Sequence, residues 1–212
     1  MVTEEAVVRG PKEDQSARTR AALLDAARIQ FAERGYSATG TEDIVQAAGV
    51  TRGALYHHFV DKQDLFEAVY TTLQNDLRDR ILTAARADPG APVWERIRRG
   101  VNEYLDHSME PTVQRIVLVE APAVFGWARW REIDSEYAFG LLKSAITGAQ
   151  DEGLLVDGDP DTLAHLMLGV VSEASQVIAG ATNVAAARLE VGRAVDHLLD
   201  SLRAPSLTAR AE

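Results

Sequence analysis

The sequence contains no cysteine, which excludes disulfides, thiolate metal sites, cysteine nucleophiles and thiol redox sensing. It has no run near the ~20 consecutive apolar residues of a membrane helix. Its first fifteen residues carry Glu4, Glu5, Glu13 and Asp14 and lack the apolar stretch of an export leader. A soluble, cytoplasmic protein without a membrane partner is expected. Catalytic motifs are missing too: there is no His-Glu-x-x-His, no Gly-x-Ser-x-Gly and no glycine-rich phosphate loop, and His57, His58, His107, His165 and His197 lack ligand spacing. No enzyme activity, no cofactor and no metal are expected. Asp157-Gly158-Asp159-Pro160-Asp161 starts like a calcium loop, but Thr162 stands where the loop needs glycine and Leu168 where it needs glutamate. Asp159 as a helix cap before Pro160 accounts for it better.

What is present is ordinary globular composition: 212 residues, 46% hydrophobic and 25% charged, enough for one or two domains. The net charge of -10 speaks against a nucleic-acid partner until its distribution is read. Residues 1–65 hold 8 basic and 10 acidic groups, residues 66–212 hold 14 and 22. Ile44 to Val60 contains no acid, only Arg52, His57 and His58, so a local anion-binding surface survives. Helical periodicity runs through every long segment, and proline or glycine falls at the breaks. The pattern predicts an all-α protein of about nine helices, with helical segments near 17–34, 61–87, 92–108, 111–120, 122–152, 159–180 and 184–203 besides the two described next. Residues 1–15 read as a loose arm and Ser16 as the first cap.

The most informative stretch runs from Thr41 to Phe59. Thr41 can cap a short helix that Glu42 and Asp43 suit electrostatically; Gly49 supplies a sharp turn, Val50 plugs the angle, and Thr51 caps a second helix. Leu55 and Phe59 share one face, which leaves Arg52, Tyr56 and His57 on another. Arg52 and Lys62 each stand in the first turn of a helix, where a cation opposes the dipole; duplex DNA would remove that conflict. Gly53-Ala54 offers almost no bulk to hold a groove away, and arginine reads guanine in bidentate fashion. The same helix-turn-helix geometry also occurs in folds without a DNA role.

Leu23-Leu24-Asp25-Ala26-Ala27, Phe31-Ala32-Glu33-Arg34-Gly35-Tyr36, Ala38-Thr39, Asp43-Ile44, Ala47-Ala48-Gly49-Val50, Leu55-Tyr56-His57-His58-Phe59 and Lys62, Leu65, Phe66 together resemble the N-terminal domain of the TetR/AcrR repressors. The resemblance runs continuously from about Arg20 to Val69. It implies a three-helix DNA-binding domain over 16–62, an effector-binding and dimerisation domain over 63–204 and a tail over 205–212. It also implies phosphate contacts from Thr41, Thr51, Tyr56, His58 and Lys62, and contacts to base edges or adjoining backbone from Arg52, Gly53, Ala54 and His57. Val45 departs from the usual alanine and Gly40 from the usual Thr or Ser.

Residues beyond 150 carry two unusually wide apolar faces. Val171, Ala174 and Ile178 in the first, with Val191, Val195, Leu198 and Leu199 in the second, cover more than the ~100° stripe of a surface helix. They are expected to pair two copies of the chain through an intersubunit four-helix bundle, as the resemblance also implies. The partners expected are thus a palindromic double-stranded operator, a second copy, and a small apolar or aromatic effector. Tyr104, His107, Glu120, Phe125, Trp130, Tyr137, Leu141 and Met167 are candidates for the effector's cavity, since family members enclose such ligands between their middle helices. Effector binding would favour an arrangement whose recognition helices no longer match the half-sites.

Overall fold

The computed structural model describes residues 10–204, without the side chains of Pro11, Asp134 and Ser135. Ten α-helices and one π-helical segment make up the described chain: α1 (Pro11–Arg34), α2 (Thr41–Ala48), α3 (Arg52–His58), α4 (Lys62–Arg86), α5 (Val93–His107), α6 (Pro111–Val113), the π-segment Gln114–Glu120, α7 (Ala121–Phe125), α8 (Trp127–Asp151), α9 (Pro160–Ala179) and α10 (Val184–Ser201). The chain divides into two compact units, residues 1–71 and 72–212, with the division inside α4. Of the expected arm, Pro11 to Gln15 is helical, because α1 starts after Gly10 rather than after Ser16, and Glu13 Oε2 accepts the Gly10 N–H at 3.1 Å. Residues 1–9 and the tail 205–212 lie outside the described residues.

In the first unit Leu23, Ala27, Phe31, Ile44, Leu55, Phe59, Leu65 and Phe66 form the core. Each large side chain so buried contributes about 1.5–3 kcal/mol. Phe31 and Phe66 meet edge to face at 5.1 Å, and Tyr36 closes the cluster at 5.8 and 5.2 Å. Gly49 takes φ 66° after α2, the left-handed geometry that the sharp turn demands.

In the second unit α5, α8, α9 and α10 surround a core that includes Trp94, Leu105, Ile146, Ala164, Val171, Ile178 and Leu199. Polar pairs join α5 to α10: Trp94 Nε1 donates to Asp200 at 3.2 Å, Arg98 pairs with Asp196 at 3.1 Å, and Arg188 pairs with Asp106 at 2.7 Å. The helix expected over 122–152 is interrupted at Gly126, whose φ of 78° ends α7. The helix expected over 111–120 is π-wound from Gln114 to Glu120. That winding brings Arg115 and Glu120, five positions apart, into an ion pair at 2.9 Å, a spacing that an α-helix turns away from one side. Asp159 caps α9 by accepting the Thr162 N–H at 2.9 Å. By length and composition α9 could cross a membrane, yet Ala164, Met167, Leu168, Val171, Ala174, Ser175 and Ile178 along it are buried within the chain, as in a core helix.

Candidate nucleic-acid interface and effector cavity

Leu55, fully buried, and Phe59, nearly so, fasten α3 to the first unit's core, which turns Arg52, Gly53, Tyr56 and His57 to the exterior. Thr51 Oγ1 caps the helix by accepting the Ala54 N–H at 3.2 Å. Thr41 is the first residue of α2 rather than its cap: Gly40 precedes it, and Asp43 Oδ2 accepts the Gly40 N–H at 3.1 Å. Arg52 first, and then Thr41, hold the Tyr56 phenol below its ordinary pKa. His58 is half-buried; burial, then the neighbouring His57 and Arg20, lowers its pKa.

Both first-turn cations have partners inside the chain, so the expected electrostatic conflict is already met. Arg52 pairs with Glu42 at 2.9 Å and lies over the Tyr56 ring at 5.6 Å, although its side chain remains 63% exposed. Lys62 is half-buried and points back at the turn between α1 and α2: Nζ donates to the Tyr36 carbonyl at 3.0 Å and the Thr39 carbonyl at 3.1 Å, and sits 4.2 Å from the centre of the Tyr36 ring. The start of α4 is closed by acids, because Asp61 accepts the Asp64 N–H and Asp64 accepts the Val60 N–H, both at 2.8 Å. Lys62 is thus occupied by the scaffold, a role that its position in the sequence did not disclose.

Gly53 is different. A Cβ built there meets nothing nearer than Thr51 Oγ1 at 3.9 Å, and the residue is exposed in the first turn of a helix. Nothing among the described residues requires glycine there, and glycine costs up to about 1 kcal/mol against alanine in a helix. Arg20 was missed in the sequence; α1 sets its guanidinium over Phe59 at 5.2 Å, beside the end of α3. Only the packing of α1 on α3 reveals it, since the two residues lie far apart in the chain.

In the second unit α4, α5, α8 and α9 line a half-open cavity of about 450 Å³, whose walls include Ile81, Ile97, Tyr104, Leu141, Leu142 and Val171. Tyr104 and Leu141 are the two expected pocket residues on this wall; the other six stand elsewhere. His107 is buried, with Nδ1 2.9 Å from Arg80 Nη1 and 3.4 Å from Glu110, and burial foremost lowers its pKa. Glu120 is engaged by Arg115. Trp130 packs on Trp127 at 4.8 Å and lines a second, smaller hollow of about 360 Å³ between α8 and α9. Met167 is buried in the core, and Phe125 and Tyr137 are half-buried away from the cavity. The aromatic spacing marked core positions because a helix buries its apolar stripe whether or not a void lies beyond it.

The wide apolar faces likewise divide. Val171, Ala174, Ile178, Val195 and Leu199 are buried inside the single chain, so a second copy cannot reach them. Val191 is half-buried and Leu198 half-exposed. Leu166 and Val177 on α9 and Ala194 and Leu198 on α10 face outward, whereas Val170 and Val191 pack in part against the core.

Family comparison agrees with this architecture. Residues 23–69 match the model for bacterial regulatory proteins of the tetR family, and residues 94–202 match a tetracyclin repressor-like C-terminal domain. The Transposon Tn10 TetC protein of Escherichia coli is 30% identical over 151 residues, 71% of this chain and 75% of that protein. The HTH-type transcriptional regulator AcrR of Shigella flexneri is 38% identical over 95 residues, 45% of this chain and 42% of AcrR. The HTH-type transcriptional repressor BepR of Brucella suis is 40% identical over 79 residues, 37% of this chain and 38% of BepR. A crystal structure of a TetR-family transcriptional regulator from Pectobacterium atrosepticum superposes with a TM-score of 0.79 at 34% identity, covering 93% of this chain and 99% of that one. The chain belongs to the TetR family of transcriptional regulators.

Proposed function

We propose that this protein is a cytoplasmic, ligand-responsive repressor that binds a palindromic operator as a homodimer and is released by a small molecule. The observation that carries the DNA reading is the bare surface at Gly53: a glycine without an internal reason, flanked by exposed Arg52 and by Tyr56 and His57. A close-approaching groove supplies the missing reason. Arg52 exchanges Glu42 for a base edge or phosphate, Thr41, Thr51, Tyr56 and His58 meet phosphates, and Ala54 and His57 meet the groove. Lys62 acts indirectly by holding the start of α4 to the turn between α1 and α2. Two recognition helices roughly 34–36 Å apart, one per copy, would read successive major grooves. The outward residues of α9 and α10 provide an apolar face for that pairing, centred on Val177 and Leu198. Repression is the activity named for the Brucella suis relative.

Gel shift with DNA from upstream of the protein's own reading frame tests this reading. Wild type should bind a palindrome there with an affinity that falls steeply as salt rises, because phosphate contacts release counterions. Arg52→Ala should bind more weakly and discriminate less between sequences. Equal affinity and equal preference in the two proteins would remove Arg52 from recognition, and a flat salt response would remove the phosphate contacts.

A further inference from the structure

The second unit is rich in acid, and its arginines are nearly all spoken for. Among the described residues, seven of them stand within 3.4 Å of a carboxylate, and Arg131 and Arg203 lie over tryptophan rings. Arg86, Arg96 and the exposed Arg193 have no such partner among the described residues, and of these Arg86 and Arg96 line the 450 Å³ cavity. Arg86 is exposed in the last turn of α4, at the cavity's rim. Arg96 is half-buried on α5, and its Nε donates to the Ala85 carbonyl at 3.1 Å. That bond orients the guanidinium and leaves its terminal N–H groups without an acid. A half-buried guanidinium with free terminal N–H groups at the edge of an aliphatic wall offers an anion a charge-assisted anchor.

The rest of the wall limits what that partner can be. It is aliphatic, with Tyr104 as its one aromatic ring, so it offers no stacking shelf for a flat ligand. Ser144 and the carboxylate of Glu152 complete the polar lining. Two cations against one anion favour a single negative charge and disfavour a dianion. A guanidinium fork matches a carboxylate in bidentate fashion. At the volume share of liquid water the cavity holds roughly 15 non-hydrogen atoms.

We propose that the effector is a medium-chain aliphatic monocarboxylate, its carboxylate bound by Arg96 with Arg86 and its chain laid along the aliphatic wall. This inference rests on reading the cavity as the effector site, and the test separates the two. Calorimetric titration of the full chain with decanoate, 1-decanol and decylammonium should give binding of decanoate, at least about tenfold weaker binding of 1-decanol, and the weakest binding of decylammonium. Arg96→Gln should weaken decanoate by about tenfold or more while leaving 1-decanol unchanged, which also shows that the variant is folded. Arg96→Lys should restore part of the loss, and Glu152→Gln should tighten decanoate. Equal binding of acid and alcohol, preference for the ammonium, no binding of decanoate, or an unaltered decanoate affinity in Arg96→Gln would each overturn the assignment. If decanoate binds in an Arg96-dependent way but leaves the operator complex intact, the ligand class stands and the effector reading fails.

Discussion

Replacing Lys62 by methionine separates a scaffold role from a DNA contact. Methionine keeps most of the apolar stem and deletes the ammonium, so the loss is confined to two hydrogen bonds, to the Tyr36 and Thr39 carbonyls, and to the contact with the Tyr36 ring. Hydrogen bonds to a charged group contribute about 1.5–3 kcal/mol, and an ammonium over a ring about 0.5–1 kcal/mol at an exposed site. Because Lys62 is only half-buried, the low end of both applies, and two hydrogen bonds with one ring contact give an expected destabilisation of about 3.5 kcal/mol. Denaturant unfolding should show it as a lower midpoint at unchanged slope. DNA binding measured from low to high salt should keep its slope, because an ammonium already bound to two carbonyls neutralises no phosphate. A phosphate-bound Lys62 gives the opposite pair of results: an unchanged midpoint and a salt dependence shallower by about one. That outcome would refute the clamp.

Four further outcomes follow from the same geometry. Thr39 is buried and its hydroxyl reaches the Gly35 carbonyl at 2.8 Å and the Gln30 carbonyl at 3.1 Å, so Thr39→Val should lose about 1–3 kcal/mol. Thr39→Ser should lose about 0.8 kcal/mol for its methyl; the reverse order in denaturant unfolding would contradict hydrogen bonding as the cause. Gly53→Ala should raise stability by up to about 1 kcal/mol while weakening operator binding in a gel shift, since the added methyl meets only what lies outside the chain. Leu198→Glu should lower the dimer fraction in analytical ultracentrifugation, whereas Leu199→Ala should lower stability by about 2–5 kcal/mol because that leucine is core. Burial depresses the His107 pKa below 6.5 in the folded chain, aided by Arg80 and opposed by Glu110. The unfolded chain therefore binds the extra proton first, and stability should fall as pH drops from 6.5 toward the depressed folded value. His107→Gln should flatten that portion of the curve of unfolding midpoint against pH. Glu110, whose pKa is raised by burial but lowered on balance by Arg80 and His107, loses its contribution only in the more acid range below 4.5.

Local chemistry made the DNA-binding unit legible in the sequence alone. Gly49 between two short amphipathic segments, Thr51 as a cap, and Leu55 with Phe59 on one face are decided within a few residues, and the folded chain keeps all of them. The capping of α9 by Asp159 is of the same kind. Helix breaks were less secure, because Gly126 interrupts a pattern that is apolar on both sides of it and the π-winding at Gln114–Glu120 has no local signature.

Tertiary structure alone decided where each charge and each apolar face ended up. Lys62 meets carbonyls 26 and 23 positions away in the chain, and Arg52 meets Glu42 across the turn; neither partner is visible in helical spacing. The wide faces of α9 and α10 announced burial on two sides, but which residues face the chain's own core and which face outward depends on the rotation of each helix against its neighbours. A turn of one residue position exchanges Leu198 for Leu199. The cavity depends on what packing leaves unfilled, so Arg96 and Leu142 line it while Trp130 and Met167 do not. Periodicity records that a side chain is buried; only the assembled helices record against what.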